Sequence, residues 1–155
     1  MKDIATLVPG FSSAMERLPG TLGTYNDLVT SLSRGTLSDR SRAEIGLIVA
    51  NRIGCSYCRW AMERVAERAE MTQEEIFFAA LGISRGRRES AIARLAKRMV
   101  EGTDAAGNVN CDPRDARMFG QAEIAEIVAQ VALVALACTV LQALAPRTDT
   151  VRKEA

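Results

Sequence analysis

Cys55-Ser56-Tyr57-Cys58 sets two thiols one helical turn apart, directly after Gly54 and between two strongly helical stretches. At a helix start such a pair can exchange electrons with a disulfide or a peroxide. The N-terminal peptide dipoles favour the thiolate, and the thiolate is the nucleophile. The sequence has no histidine, so imidazole cannot assist. Arg59 adjoins Cys58, and its charge, or that of Arg52 turned inward, can lower a thiol pKa. Glu44 is the candidate acid upstream. If one helix ran from Glu44 to Cys55, a rise of about 1.5 Å per residue would hold the two apart. Glu44 can then act only if the chain turns back at Gly54, through water, or from a neighbouring subunit. Glu63 is poorly spaced from Cys58 for a helix contact. Tyr57 is expected to pack its ring beneath the loop, and Met62 to fill apolar space one turn after Cys58.

The other two cysteines do not extend the pair into a metal-binding pattern. Cys111 falls in a polar loop and Cys138 in an apolar helix, where it reads as a small core residue. A four-cysteine zinc site wants two paired knuckles. No metal and no cofactor is expected.

The 155 residues carry a net charge of +1, which gives no electrostatic case for nucleic acid. Hydrophobic residues make up 48%, charged 25% and aromatic only 5%, a balance that suits close-packed helices better than a β-sandwich. Basic residues at 85–98 alternate with Ile92 and Leu95, as on a solvated helix face. The N-terminus shows no basic start followed by an apolar run, so a secretory signal is not expected, and a cytoplasmic location with reduced thiols is. Residues 127–146 carry no charge but include Gln130, Thr139 and Gln142, and read as a buried helix rather than a membrane span.

The elements that would position the thiols are all helical. A lead-in with Pro9, Gly10, Pro19 and Gly20 holds a short helical piece around 12–18, followed by a helix over 22–32. Ser38 or Asp39 caps the next helix, which ends at Gly54; another runs from the cysteines to about Ala69. Thr72-Gln73-Glu74-Glu75 is a capping box, and Gly82 closes its helix. The basic helix spans 87–101. After a loop at 103–110, Asp112-Pro113 starts a short piece, and an apolar helix runs over 121–145 to Pro146 and a charged tail. The expected fold is all-α with roughly six to eight helices.

The segment Arg42-Ala43-Glu44-Ile45-Gly46-Leu47-Ile48-Val49-Ala50-Asn51-Arg52-Ile53-Gly54-Cys55-Ser56-Tyr57-Cys58 resembles the core of AhpD-like proteins of the carboxymuconolactone decarboxylase superfamily. Met71-Thr72-Gln73-Glu74-Glu75-Ile76 and the stretch from Phe119 to Ala129 resemble the later parts of that pattern. The likeness covers residues 35–145 and implies a single AhpD-like all-helical domain over 1–155, with 1–20 and 147–155 peripheral. It also implies a homo-oligomer, commonly a trimer or hexamer. The family's proton relay joins a glutamate, two cysteines and a histidine. Here the glutamate position holds Ala43, with Glu44 one residue later, and the histidine position holds Met62. The decarboxylase branch depends on that histidine.

These readings imply a thiol–disulfide oxidoreductase with weak alkylhydroperoxidase activity. Losing general-base help costs on the order of 10² to 10⁴ in rate, which leaves a slow peroxidase but a usable dithiol. The resemblance makes Cys58 the attacking thiolate and Cys55 the resolving thiol, regenerated by a dithiol reductant protein. The alternative is a repurposed scaffold, redox-inactive, in which Tyr57, Trp60 and Met62 line a pocket for an apolar small molecule, with Arg59 at its edge. A purely structural or regulatory oligomer is a third reading.

Overall fold

The computed structural model describes residues 4–8, 10–17, 19–102 and 112–144. The loop at 103–110, Cys111 and the charged tail from 147 lie outside the described residues. Nine helices occur among those described: α1 (Ile4–Leu7), α2 (Phe11–Met15), α3 (Thr21–Ser33), α4 (Asp39–Ile53), α5 (Ser56–Arg68), α6 (Gln73–Ala80), α7 (Arg87–Glu101), α8 (Pro113–Ala116) and α9 (Gln121–Leu144). No strand is present among the described residues. The described residues form an all-α helical domain.

α4 is the axis. Residues 41–50 are all buried, as a helix apolar around most of its circumference must be. It packs against α5, α6, α7 and α9. Ser38 caps it: its hydroxyl accepts the Ser41 N–H at 3.0 Å. Gly54 ends it in the left-handed conformation at φ 76°, and the Gly54 and Cys55 N–H groups both donate to the Ala50 carbonyl. A Cβ at Gly54 would meet nothing, so the glycine is needed for its backbone angle and not for space. Gly54→Ala is accordingly expected to cost about 1–2 kcal/mol, read by urea unfolding; an unchanged midpoint would show that the turn tolerates a side chain.

The turn at Gly54 sends α5 back along α4. The Thr72–Glu75 capping box forms as the sequence predicts, with both reciprocal bonds present. Asp112 caps α8, with Pro113 in its first turn. α7 buries Ala91, Ile92, Ala93, Leu95 and Ala96 and turns its arginines outward. Arg94 makes a two-pronged bond to Asp115, and Arg88 pairs with Glu123 while lying over the Phe119 ring.

The lead-in is more ordered than its prolines and glycines suggest. Ile4, Val8 and Phe11 enter the core, and α1 packs on α2 and α5. α9 is long and apolar enough to cross a membrane by length and composition. In this fold it packs on α2, α3, α4, α5 and α7, burying Ile127, Val131, Val134, Cys138 and Leu141.

Candidate functional site

Cys55 is the N-cap of α5. Its sulfur accepts the Cys58 N–H at 3.4 Å, so the cysteine pair closes the first turn of the helix it opens. Both thiols are buried and free. Cys138 enters from α9, and the three sulfurs all lie within 4.8 Å of one another. The residue expected to be a small core side chain is thus also a third thiol at the pair.

The three thiols are electrostatically unequal. Hydrogen bonds from the Cys138 and Cys58 thiols, with the Cys58 and Tyr57 N–H groups adding, hold Cys55 down to about 3 against its desolvation. Cys58 is pushed far above the ordinary thiol range by its bonds to Cys138 and Cys55 and by burial. Cys138 is pushed up to about 12, chiefly by its bond to Cys55. One thiolate shared among three sulfurs settles on the helix cap, where backbone donors also point. The sequence expectation placed the thiolate on Cys58; these interactions favour it on Cys55. The bonds from the Cys138 and Cys58 thiols lead that order, and the backbone donors of the N-cap position add to it. Arg59 instead pairs with Glu63 one turn on, at 3.1 Å, on the exposed side of α5.

The other candidates separate into two groups. Tyr57 and Trp60 are 40% and 48% exposed, whereas Met62 is buried on the inner side of the same helix. Tyr57 therefore does not tuck beneath the loop, and the three do not line one pocket. Met62 packs over Gly46, where a Cβ would fall 2.2 Å from the methionine sulfur. With Tyr25, Arg42, Gln130 and Val134 it borders a cavity of only about 20 Å³, room for roughly one water.

Glu44 does not join the cysteines. It faces α6 and the turn before α7, where the Ser84 hydroxyl donates to its carboxylate at 2.9 Å and Arg40 lies 3.6 Å away. Arg40 also pairs with Glu75, which that guanidinium and the Thr72 amide hold down to about 2, the amide contributing most. Glu44, Glu75, Arg40, Arg85 and Ser84 border a cavity of about 210 Å³, the larger of the two described. The residue in the family's glutamate position, Ala43, is fully buried in α4. One residue of displacement rotates a helical side chain by roughly 100°, which puts Glu44 at this second cavity.

Burial raises the Glu44 pKa, with Ser84 and Arg40 partly offsetting it. A raised folded-state pKa favours folding below the unfolded value near 4.3, and that contribution is lost as pH rises through the folded value. Glu44→Gln keeps the hydrogen-bonding shape without the charge. Its melting temperature relative to the parent is expected to rise as pH increases above about 4 and to level off once the folded-state value is passed. A difference that falls over this range would mean that Arg40 outweighs burial.

Helical packing of this type defines an all-α class of fold. No family model matches the chain, and no curated protein matches it. Among solved structures the fold is similar to that of the debrominase Bmp8, with a TM-score of 0.71, 17% identity, and coverage of 90% of this chain and 76% of that one. It is equally similar to a cysteine-to-alanine variant of Bmp8 in complex with 2,3,4-tribromopyrrole, at TM-score 0.70, 17% identity, and coverage of 88% and 74%.

Sequence reasoning missed Cys138. Its spacing from Cys55 carries no signal, because helices from opposite ends of the chain supply the cluster. The available hint was a cysteine on the most apolar helix, where a thiol must find a partner or go unpaired.

Proposed function

We propose that the chain carries out two-electron dithiol chemistry on a small soft electrophile, with Cys55 as nucleophile and Cys58 or Cys138 as resolving thiol. The observation that carries this reading is the convergence of three buried, free thiols on one helix cap. With a hydroperoxide, the Cys55 thiolate attacks the terminal oxygen. The alkoxide leaves with a proton, and Cys55 becomes a sulfenic acid. A neighbouring thiol then displaces water to give a disulfide, which an external dithiol reduces. With no histidine in the chain, water or the leaving group itself must carry the proton, which predicts slow turnover.

A second reading is favoured by the likeness to a debrominase captured with a brominated pyrrole. A thiolate can take a halogen from an aromatic carbon, which gains a proton. The sulfenyl halide then releases halide as a second thiol closes the disulfide. The balance is one aryl halide and two thiols in, one arene, one disulfide and one hydrogen halide out. Either substrate uses the same cysteines.

Thiol alkylation and mass spectrometry across a thiol/disulfide buffer series separates both readings from an inert scaffold. A reversible disulfide from Cys55 to Cys58 or Cys138, lost in Cys55→Ser, is the expected result. Thiols that alkylate only after unfolding would overturn it and favour the non-redox scaffold. Assembly as a trimer or hexamer is part of this proposal. Trp60, Phe77, Leu81, Ile83, Val128 and Leu136 stand exposed on the single chain and would be covered by it. Native mass spectrometry is expected to show the oligomer; a monomer at micromolar concentration would remove this part.

A further inference from the structure

The three sulfurs that could resolve one another's oxidation also form a chelate. We infer that Cys55, Cys58 and Cys138 bind trivalent arsenic, delivered as arsenous acid, through three sulfur ligands and no other. The inference stands apart from the redox reading, because it needs the thiols to converge and needs no turnover.

The geometry supplies the first argument. For a soft ion bonded to sulfur at about 2.3 Å, three sulfurs in a plane lie about 4 Å apart, and closer if the ion sits above them. The observed span of 4.8 Å or less reaches this by small rotations of the side chains. Two of the ligands come from the first turn of α5 and the third from α9, both packed into the core, so the chelate is largely formed before the ion arrives.

The ligand count supplies the second. Zinc in a closed site takes four ligands in a tetrahedron. Among the described residues no histidine, aspartate or glutamate stands with the three cysteines as a fourth. Trivalent arsenic completes its valence with three thiolates.

Charge supplies the third. A cuprous ion on three thiolates would leave two negative charges in a site whose ligands are 3%, 0% and 0% exposed, and zinc would leave one. Burying an uncompensated charge is costly. Arsenous acid condenses with two thiols, one thiolate and one proton, giving a neutral tris-thiolate and three waters. No electron is transferred, and nothing charged remains to be buried.

The test uses the full chain carrying Cys111→Ser, so that every remaining thiol belongs to the cluster. Under reducing conditions, arsenite is titrated against the folded protein and read by native mass spectrometry and by protection from alkylation. One arsenic per chain, with all three thiols protected, is expected. Arsenic-edge X-ray absorption on this protein is expected to show three sulfur neighbours; two sulfurs and an oxygen would overturn the site without any cluster variant having to fold. Cys138→Ala and Cys138→Ser, checked for helicity, are expected to weaken binding at least tenfold. Unchanged affinity in a folded variant would reduce the site to an ordinary dithiol and overturn the inference. If arsenite binds through three sulfurs while no disulfide forms with peroxide, the redox reading fails and this one stands.

Discussion

Between about pH 5 and about pH 8 the alkylation rate of Cys55 in the folded protein is expected to stay flat, while that of an ordinary thiol rises steeply. A thiol titrating near 8.5 loses thiolate by roughly 75-fold between pH 8 and pH 6, and its rate falls with it. Cys55 is held far below that range, so its thiolate is fully formed throughout. Burial slows access by the same factor at every pH and leaves the shape of the profile untouched. The cause can be separated by substitution. The Cys138 thiol is the largest contributor to the shift, ahead of Cys58. Cys138→Ala is therefore expected to move the Cys55 midpoint upward more than Cys58→Ala does. A steep profile in the parent protein, or a flat one that follows Cys58, would mean that the helix cap does not choose the thiolate.

The largest expected loss of stability comes from Arg42. Its guanidinium is buried in α4 and donates to the Leu32 carbonyl at 3.1 Å, to the Leu37 carbonyl and to Asp39, with Glu126 3.8 Å away. Glu126 in turn accepts the Thr36 amide and hydroxyl at 2.8 Å and the Leu37 amide at 3.0 Å. One arginine and one carboxylate thus satisfy most of the turn between α3 and α4. Arg42→Met preserves length and apolar packing but leaves two carbonyls and two carboxylates without their cation, and about 3–5 kcal/mol is expected. Arg40→Met is the matched control. Arg40 also bridges carboxylates, but at 38% exposure water can replace it, and less than about 1 kcal/mol is expected. Equal unfolding midpoints for the two variants would show that the Arg42 network is no stronger than a surface pair.

Local chemistry was readable in the sequence and long-range convergence was not. Thr72 with Glu75, Asp112 with Pro113, and Gly54 as a stop each act within a few residues, and each appears as expected. The cysteine pair at a helix start is of the same kind. Three features escaped because residues far apart in the chain decide them. Cys138 reaches the pair only because α9 docks on α5. That one helix would hold Glu44 off the pair was legible, but its bond to Ser84, forty residues on, was not. α1 forms because Ile4 and Val8 find a core to enter, although the glycines and prolines near it signal irregular chain. The order of thiol acidities escaped for the same reason. It follows chiefly from the Cys138 thiol that α9 brings to Cys55, with the N-cap amides adding to it.

Glu126 bonds to a turn some ninety residues earlier in the chain, and Cys138 meets Cys55 across a similar distance. Both contacts close only when α9 docks on α4 and α5, which costs the entropy of closing a long loop. Until then Arg42 lacks its distant carboxylate, and Cys55 lacks the Cys138 thiol, the largest of the groups that lower its pKa. Thiol reactivity at mildly acidic pH therefore reports arrival of the last helix. In a nascent or partly unfolded chain the Cys55 alkylation rate would climb steeply with pH, and the profile would flatten as the C-terminal helix seats.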